Sequence, residues 1–332
     1  MEKKNKSSVL QWIVPFAIPM IIVLIILFNF SVRTNTYAKE SVSDDMFRSA
    51  RRYAKEVVNE LATVGRAVNS VCTMLEQDQT LDDEQIVALV RIVADCAEAS
   101  RVELCNGEGN GVDQLGNKVS IGEEPYFKEI QISDSPFLYI EGEDDATKRS
   151  ILVVESVGKD EGNFMLLYYP VEKFDSLLCE EDLESGAFLA LIDSAGRILS
   201  ASGSESKMIE SGNLLEAVQG ADPAEAQRIR DAMAGNMQGA CSVKTDQESR
   251  TLYFAPLGKN QWGIILGVPQ SHVDQLVGVQ WKNTKGMLIS LIVVFLVFCC
   301  FIMVVDTIGR IRDNKQKKEL ENKADTDLLT GL

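Results

Sequence analysis

The residues that most often carry chemistry are few and far apart in this sequence. The chain of 332 residues has seven cysteines and one histidine, His272. No two cysteines form a C-x-x-C pair, and no histidine stands at metal-ligand spacing from them. Cys299 and Cys300 lie inside an apolar stretch and the other five cysteines are scattered. The sequence therefore predicts no metal site and no complete disulfide framework, although one or two bridges are possible.

The charge is distributed unevenly along the chain. The net charge is −16 at pH 7, yet three lysines lie within the first six residues and five basic residues lie between 310 and 318. The segment between these ends is therefore strongly acidic. Such a segment repels phosphates, so we expect no binding to nucleic acid; the simpler interpretation is a solvated acidic surface.

Two apolar stretches predict membrane spans. Residues 287–305 contain no charged side chain, and as a helix they extend for about 28 Å, close to the thickness of the hydrocarbon core of a bilayer. Residues 12–30 contain only Pro15, Pro19 and Asn29 as interruptions, and their length favours an uncleaved signal anchor over a cleaved signal peptide.

The basic residues beside these stretches predict the orientation. Lys and Arg collect on the cytoplasmic side of a membrane. We therefore expect a protein of the plasma membrane, in contact with membrane lipid, with both termini cytoplasmic. Residues 1–11 form the cytoplasmic tail, and residues 31–286 are extracytoplasmic.

Residues 31–80 predict a long stalk helix with an apolar seam. The seam alternates spacings of three and four, as in a coiled coil, which gives it two interpretations. The helix packs along its own domain, or it pairs with a second chain to form a homodimer. The seam residues are Phe47, Ala50, Ala54, Val57, Leu61, Val64, Val68, Val71 and Leu75.

After the stalk, the sequence predicts two similar α+β blocks, residues 81–180 and 181–285. Each has about five short strands separated by glycine-rich turns. A helix over residues 81–98 opens the first block, with Thr80 as its expected N-cap. The predicted strands are Val102–Cys105, Phe137–Glu141, Ser150–Val157 and Phe164–Tyr169, then Ala187–Ile192, Arg197–Ala201, Ala240–Val243, Thr251–Pro256 and Trp262–Val268.

Residues 41–285 resemble a double Cache (dCache) sensor. The resemblance rests on Pro125–Glu129, on the strands Ser150–Val157 and Phe164–Tyr169, on Leu191–Arg197 and on Gly263–Pro269. It implies an α+β fold of two PAS-like antiparallel-sheet modules on a long N-terminal helix, flanked by two transmembrane helices. The membrane-distal module is then residues 81–180, and the membrane-proximal module residues 181–285.

The resemblance further implies that the distal module binds a small-molecule ligand. Amino-acid-binding members place an arginine two residues before the aromatic pair and an aspartate near the last strand. Here Glu124 stands before the pair and the last strand ends Tyr168-Tyr169-Pro170, which argues against an ordinary α-amino acid. Each aromatic candidate has a second interpretation as a core residue of a half-buried sheet. The candidates are Tyr126, Phe127, Tyr139, Arg149, Glu155 and Tyr168.

The end of the sequence resembles the start of a GGDEF domain. Residues 306–324 predict a charged linker helix, with Ile308, Ile311 and Leu320 as candidate signal-relay positions. Residues 325–332 then contain D-x-L-T-G-L, the opening motif of that domain, in Asp327, Leu329, Thr330, Gly331 and Leu332. The GG(D/E)EF loop itself is not among the 332 residues, so we assign no catalytic residue. Mg²⁺ and GTP are implied only for the missing output domain.

Together these features predict a transmembrane receptor whose outer domain senses a small ligand. The full-length parent is expected to be a diguanylate cyclase that makes cyclic di-GMP from GTP. Three alternatives stay open: a GGDEF-EAL phosphodiesterase, a chemoreceptor, and a stand-alone membrane-bound binding protein.

Overall fold

A computed structural model describes residues 3–330 apart from 79, 133–136, 141–148, 159–161, 179–185, 204–205 and 245–248. The chain divides into two compact units. One is Ser43–Asp274, which contains both β-sheets. The other consists of the helical segments Met1–Val42 and Gln275–Leu332.

Helix α1 (Lys3–Gln77) contributes its seam to the core of the Ser43–Asp274 unit. Ala50, Val57 and Val68 have no exposed surface, and the whole seam packs in one apolar cluster with residues of both sheets. The interpretation in which the stalk packs along its own domain is therefore confirmed for these residues. Helix α2 (Asp83–Cys96) follows, and its N-cap is Asp82, in a capping box with Gln85. The expected cap at Thr80 is wrong because the Asp82 carboxylate, a strong N-cap acceptor, lies next to the first helical turn.

The distal sheet has six antiparallel strands in the order β3-β2-β1-β6-β5-β4. Its two central strands are β1 and β6, and β1 pairs over its whole length with residues 164–168 of β6. Helix α3 follows β3, and helix α4 follows β6. The elements are β1 Arg101–Cys105, β2 Asn110–Asp113, β3 Lys118–Ser120, α3 Pro125–Ile132, β4 Phe137–Ile140, β5 Ser150–Val157, β6 Asn163–Pro170 and α4 Glu172–Leu178.

The proximal sheet has five antiparallel strands in the order β8-β7-β11-β10-β9. One face packs on the stalk helix, and the other packs on α6 and α7 in a second apolar cluster. Helix α7 begins with Pro223 after the N-cap Asp222, which fits the preference of proline for the first helical position. The elements are β7 Phe188–Ile192, β8 Ile198–Gly203, α5 Lys207–Glu210, α6 Leu214–Ala221, α7 Pro223–Ala234, β9 Gly239–Lys244, β10 Ser249–Pro256 and β11 Gly263–Pro269.

Helix α8 (Gln270–Thr330) begins directly after β11 and contains the second predicted span. Over the described residues, one helical stretch is long and apolar enough to cross a membrane, Lys285–Leu320. The first predicted span lies in α1, where the side chains of residues 12–21 are outside the described part. That span, and with it the multi-pass topology, stays a prediction. The α+β fold class, with two antiparallel sheets and a long N-terminal helix, is confirmed.

Candidate functional site

Strand β1 places two charged side chains on the apolar outer face of the distal sheet. Side chains alternate between the two faces of a strand. Val102 accordingly packs with the stalk helix, whereas Cys105 lies in a separate cluster on the opposite face, beneath α3. Arg101 and Glu103 share the parity of Cys105. Glu103 has no exposed surface at all.

Four polar side chains form a connected network on this outer face. The Arg101 Nε atom lies 2.6 Å from Glu103 Oε1. The Tyr168 hydroxyl donates a hydrogen bond of 3.0 Å to Glu103 Oε2, and the hydroxyl oxygens of Tyr126 and Tyr168 are 3.0 Å apart. Because a phenol has a single hydroxyl proton and Tyr168 donates its own to Glu103, Tyr126 must be the donor to Tyr168.

The pairing of β1 with β6 positions this network. Arg101 stands directly opposite Tyr168 in the register, and its guanidinium lies 5.9 Å from the centroid of the Tyr168 ring. Tyr126 comes from the first turn of α3, and its ring meets Tyr168 edge-on at a centroid distance of 6.5 Å. Cation–π and edge-to-face contacts of this kind fix ring orientation as well as adding stability.

Burial keeps the hydroxyls and the nearby thiol protonated. Burial, and then the negative charge of Glu103, raise the pKa of Tyr168 far above its usual value. Burial likewise raises the pKa of Tyr126 to about 12, and that of the Cys105 thiol to about 12. At neutral pH both tyrosines are therefore hydrogen-bond donors, and Cys105 is an unreactive thiol.

The fully buried carboxylate of Glu103 favours a ligand-binding site over a purely stabilising ion pair. Removing a charge from water is costly, and a buried ion pair is seldom more stable than apolar side chains of the same volume. Here Glu103 contacts the guanidinium of Arg101 and the phenol of Tyr168, and Asp113 of β2 stands opposite it in the sheet. Buried ionisable groups with perturbed pKa values, such as the neighbouring Tyr168, cluster at functional sites. The arrangement offers a positive group, a negative group and a phenol, which suits recognition of a small polar ligand.

Three of the six predicted ligand-binding residues come together here. Tyr126, Phe127 and Tyr168 all belong to the outer-face cluster or pack against it. Arg101 of β1 adds a guanidinium to this cluster, paired with Glu103. The sequence interpretation missed both Arg101 and Glu103, although their alternation with Val102 and Leu104 was a legible signal of a polar strand face.

The other three predicted residues lie elsewhere. Glu155 faces the stalk helix, where it accepts a hydrogen bond of 2.7 Å from Asn69. Arg149 donates to the carbonyl of Leu199 in the proximal module at 2.6 Å. Tyr139 packs toward the stalk-side cluster.

The described residues contain no group of three or more potential metal ligands. Six cysteines are described, all of them free, and Cys179 lies outside the described residues. All three predicted relay positions are exposed on α8: Ile308, Ile311 and Leu320. The side chains of the D-x-L-T-G-L motif, 327–332, lie outside the described part of the chain.

No protein-family profile matches the chain, and no curated protein sequence is similar to it. Solved structures do resemble it. The extracellular domain of mmHK1S-Z3, described as a histidine kinase, has a TM-score of 0.58 at 11% identity, covering 72% of this chain and 97% of that chain. The chain has the fold of an extracellular sensor domain.

Two further structures share this sensor fold and contain ligands. The sensory domain of the Campylobacter jejuni chemoreceptor Tlp3, with isoleucine bound, has a TM-score of 0.52 at 13% identity, covering 73% of this chain and 98% of that chain. The ligand-binding domain of the Pseudomonas fluorescens chemoreceptor CtaA, in complex with L-isoleucine, has a TM-score of 0.55 at 14% identity with the same coverage of 73% and 98%. The sensor fold is therefore dCache-like, as the sequence resemblance implied.

Proposed function

We propose that this chain is the sensory and membrane portion of a receptor, and that the outer face of its distal sheet binds a small ligand. The observation that carries the proposal is the fully buried Glu103, paired with Arg101 and bonded to Tyr168. Sensor domains with this fold have amino acids bound in the structures of CtaA and Tlp3. Arg101 supplies a guanidinium, the group that best matches a carboxylate. A ligand with a carboxylate therefore fits this face.

Binding would rearrange the network rather than fill an inert pocket. A ligand carboxylate on Arg101 competes with Glu103, and a ligand donor competes with Tyr168 for the same carboxylate. Tyr126, on α3, is hydrogen-bonded to Tyr168, which in turn donates to Glu103. The ligand can shift the resting state only through its different affinity for the two arrangements.

We propose further that the signal leaves through α8 to a GGDEF output. Strand β11 ends at Pro269, and α8 begins at Gln270 and continues to Thr330. A shift of the proximal sheet can therefore pass directly into a helix that contains the predicted span. The D-x-L-T-G-L motif at residues 327–332 favours a diguanylate cyclase over the histidine kinase and chemoreceptor outputs of the structural neighbours.

Ligand binding is tested by thermal shift of the full chain in detergent micelles against small metabolites. A ligand at 100 times its dissociation constant stabilises the folded state by about 2.7 kcal/mol. We expect Glu103→Gln to remove the shift, whereas Glu123→Gln, a change of the same chemistry at an exposed position, should leave it intact. An equal shift in both variants would place the ligand elsewhere.

The output is tested by the coding sequence downstream of Leu332. A GG(D/E)EF loop there supports the cyclase, and an added EAL motif supports the phosphodiesterase. A HAMP-like module followed by long heptads would contradict both and indicate a chemoreceptor.

A further inference from the structure

The two modules contain the same aspartate turn. Asp113 closes β2 in the distal module, and Asp193 follows β7 in the proximal one. Each accepts hydrogen bonds of 2.9 and 2.8 Å from the backbone N–H groups two and four residues later. Each is followed three residues later by a glycine with φ of +83°, Gly116 and Gly196. The turns can therefore be compared position by position.

The residue after the glycine is Asn117 in the distal turn and Arg197 in the proximal turn. Arg197 has more hydrogen-bond donors than the turn uses. In the distal turn Asn117 Nδ2 donates to Asp113 Oδ2 at 2.9 Å. In the proximal turn Arg197 Nε donates to Asp193 Oδ2 at 2.6 Å. The distal copy shows that one amide N–H satisfies this aspartate. The two Nη groups of Arg197 are surplus to the turn.

These surplus groups lie at a cleft between the two modules. The cleft has a volume of about 540 Å³, which is within the usual range for small-molecule sites. Tyr139 of β4 and Glu129 of α3 contribute from the distal module, and Arg197 and the β10–β11 turn contribute from the proximal one. The Arg197 guanidinium lies 5.2 Å from the centroid of the Tyr139 ring, and its side chain is 52% exposed.

The β10–β11 turn at this cleft is strained. Asn260 and Gln261 both have positive φ values, +55° and +54°. The N–H of Trp262 donates to the carbonyl of Lys259 at 3.0 Å, so the two residues between them are the central pair of a β-turn within the six-residue loop between β10 and β11. A turn with two positive φ values favours glycine at its second central position, because a side chain there is sterically disfavoured. Here Gln261 occupies that position and lines the cleft. The Asn260 side chain donates a hydrogen bond of 2.5 Å to the carbonyl of Phe137 in the distal module. Backbone strain of this kind is concentrated at ligand-binding and switch regions.

We propose that this cleft is a second binding site, for a small organic monocarboxylate, separate from the outer face of the distal sheet. The Nη groups of Arg197 bind the carboxylate, while Asp193 holds Nε and so fixes the plane of the fork. The Tyr139 ring supports the guanidinium from one side. Glu129 adds negative charge to the cleft, so a ligand with one carboxylate is favoured over a dicarboxylate. A bound ligand contacts both modules and stabilises one arrangement of β4 against the hairpin that ends in β11.

The test compares benzoate with benzamide, which has the same shape without the charge, on the full chain in detergent micelles. We expect benzoate to bind in calorimetry and benzamide not to bind. Arg197→Asn copies the distal turn, so the variant should still fold and melt cooperatively, with only the small loss expected for its contact with the Tyr139 ring. It should weaken benzoate binding at least about 10-fold, as expected for lost charge-assisted hydrogen bonds.

Arg197→Lys provides a second variant, because it keeps the positive charge but loses the planar fork. We expect it to weaken benzoate binding as well. Glu103→Gln locates the binding, since it alters the distal face and leaves the cleft untouched. The proposal is overturned if benzoate does not bind the unmodified chain, if Arg197→Asn binds it equally well, or if Glu103→Gln abolishes its binding.

Discussion

Tyr168 donates its hydroxyl hydrogen to Glu103 across neighbouring strands, and the carboxylate it contacts has no exposed surface. Arg101 is the countercharge of this carboxylate. We predict that Glu103→Ala lowers the free energy of unfolding by about 3 kcal/mol, because it leaves Arg101 and Tyr168 without their acceptor. Urea denaturation of the full chain in detergent micelles measures this. A loss no larger than that of Glu123→Ala, at an exposed position, would contradict it.

The hydroxyls of Tyr126 and Tyr168 should contribute unequally. Tyr168→Phe deprives buried Glu103 of a donor and should cost about 1–3 kcal/mol of stability. Tyr126→Phe removes only the outer hydrogen bond, from a ring that is half-buried, and should cost less. The same denaturation experiment separates them, with Tyr37→Phe, exposed on α1, as the control. Equal losses of stability for Tyr126→Phe and Tyr168→Phe would contradict the order of donors in which Tyr126 donates to Tyr168 and Tyr168 donates to Glu103.

The raised tyrosine pKa values predict a loss of stability in alkali. Burial favours the protonated phenol, so the folded pKa of Tyr126 and that of Tyr168 lie above the unfolded value. Their contribution is complete below about pH 10, the pKa of a free tyrosine, and declines as pH rises toward about 12, the folded pKa of Tyr126. Melting temperature as a function of pH, followed together with phenolate absorbance, checks this. Tyr168→Phe should flatten the alkaline decline; an unchanged decline would assign it to other groups.

The stalk seam should stabilise the single chain. Leu61 is buried against the sheets, so Leu61→Ala should cost about 2–5 kcal/mol. Met74→Ala, on the exposed side of the same helix, should change stability by less than about 0.5 kcal/mol. Melting at several protein concentrations distinguishes the two uses of the seam. A loss for Leu61→Ala that grows on dilution would indicate that the seam pairs two chains; the homodimer itself stays a prediction.

The relay positions on α8 should matter for output and not for binding. Ile311 and Leu320 are apolar side chains exposed on a charged helix. If α8 leads to the proposed GGDEF output, replacing both with lysine in the full-length protein should uncouple ligand binding from cyclic di-GMP production. Asn314→Lys, at an exposed polar position between them, should leave coupling intact. Unchanged signalling in the double variant would remove these positions from the relay.

The strand pattern of this sequence predicted most of the fold. Short apolar runs bounded by glycine-rich turns located the central strands of both sheets. Strands β2 and β3 were missed because they have four and three residues, lie between turns and lack the apolar run that marks β4, Phe137–Ile140. Such short segments carry too few side chains for alternation to be visible.

The candidate site was only partly predictable, because alternation shows which residues share a face but not what covers that face. Tyr139 and Glu155 share the parity of Phe137 and Val153, which face the stalk. Which face of the sheet meets the stalk is decided by packing between segments that are distant in the sequence. Arg101 and Glu103 were missed for the same reason: nothing in β1 shows that α3 covers it.

The apolar cluster on the stalk has a further consequence. It contains Val102 and Leu167 of the distal sheet, Leu189 and Tyr253 of the proximal sheet, and α1 between them in the same core. Neither module therefore has a separate core on its stalk-facing side. The outer domain should melt as one cooperative unit, and a cut between the modules should yield two insoluble halves rather than two small domains. We therefore expect that residues 43–274 can be transferred to another protein only as a whole.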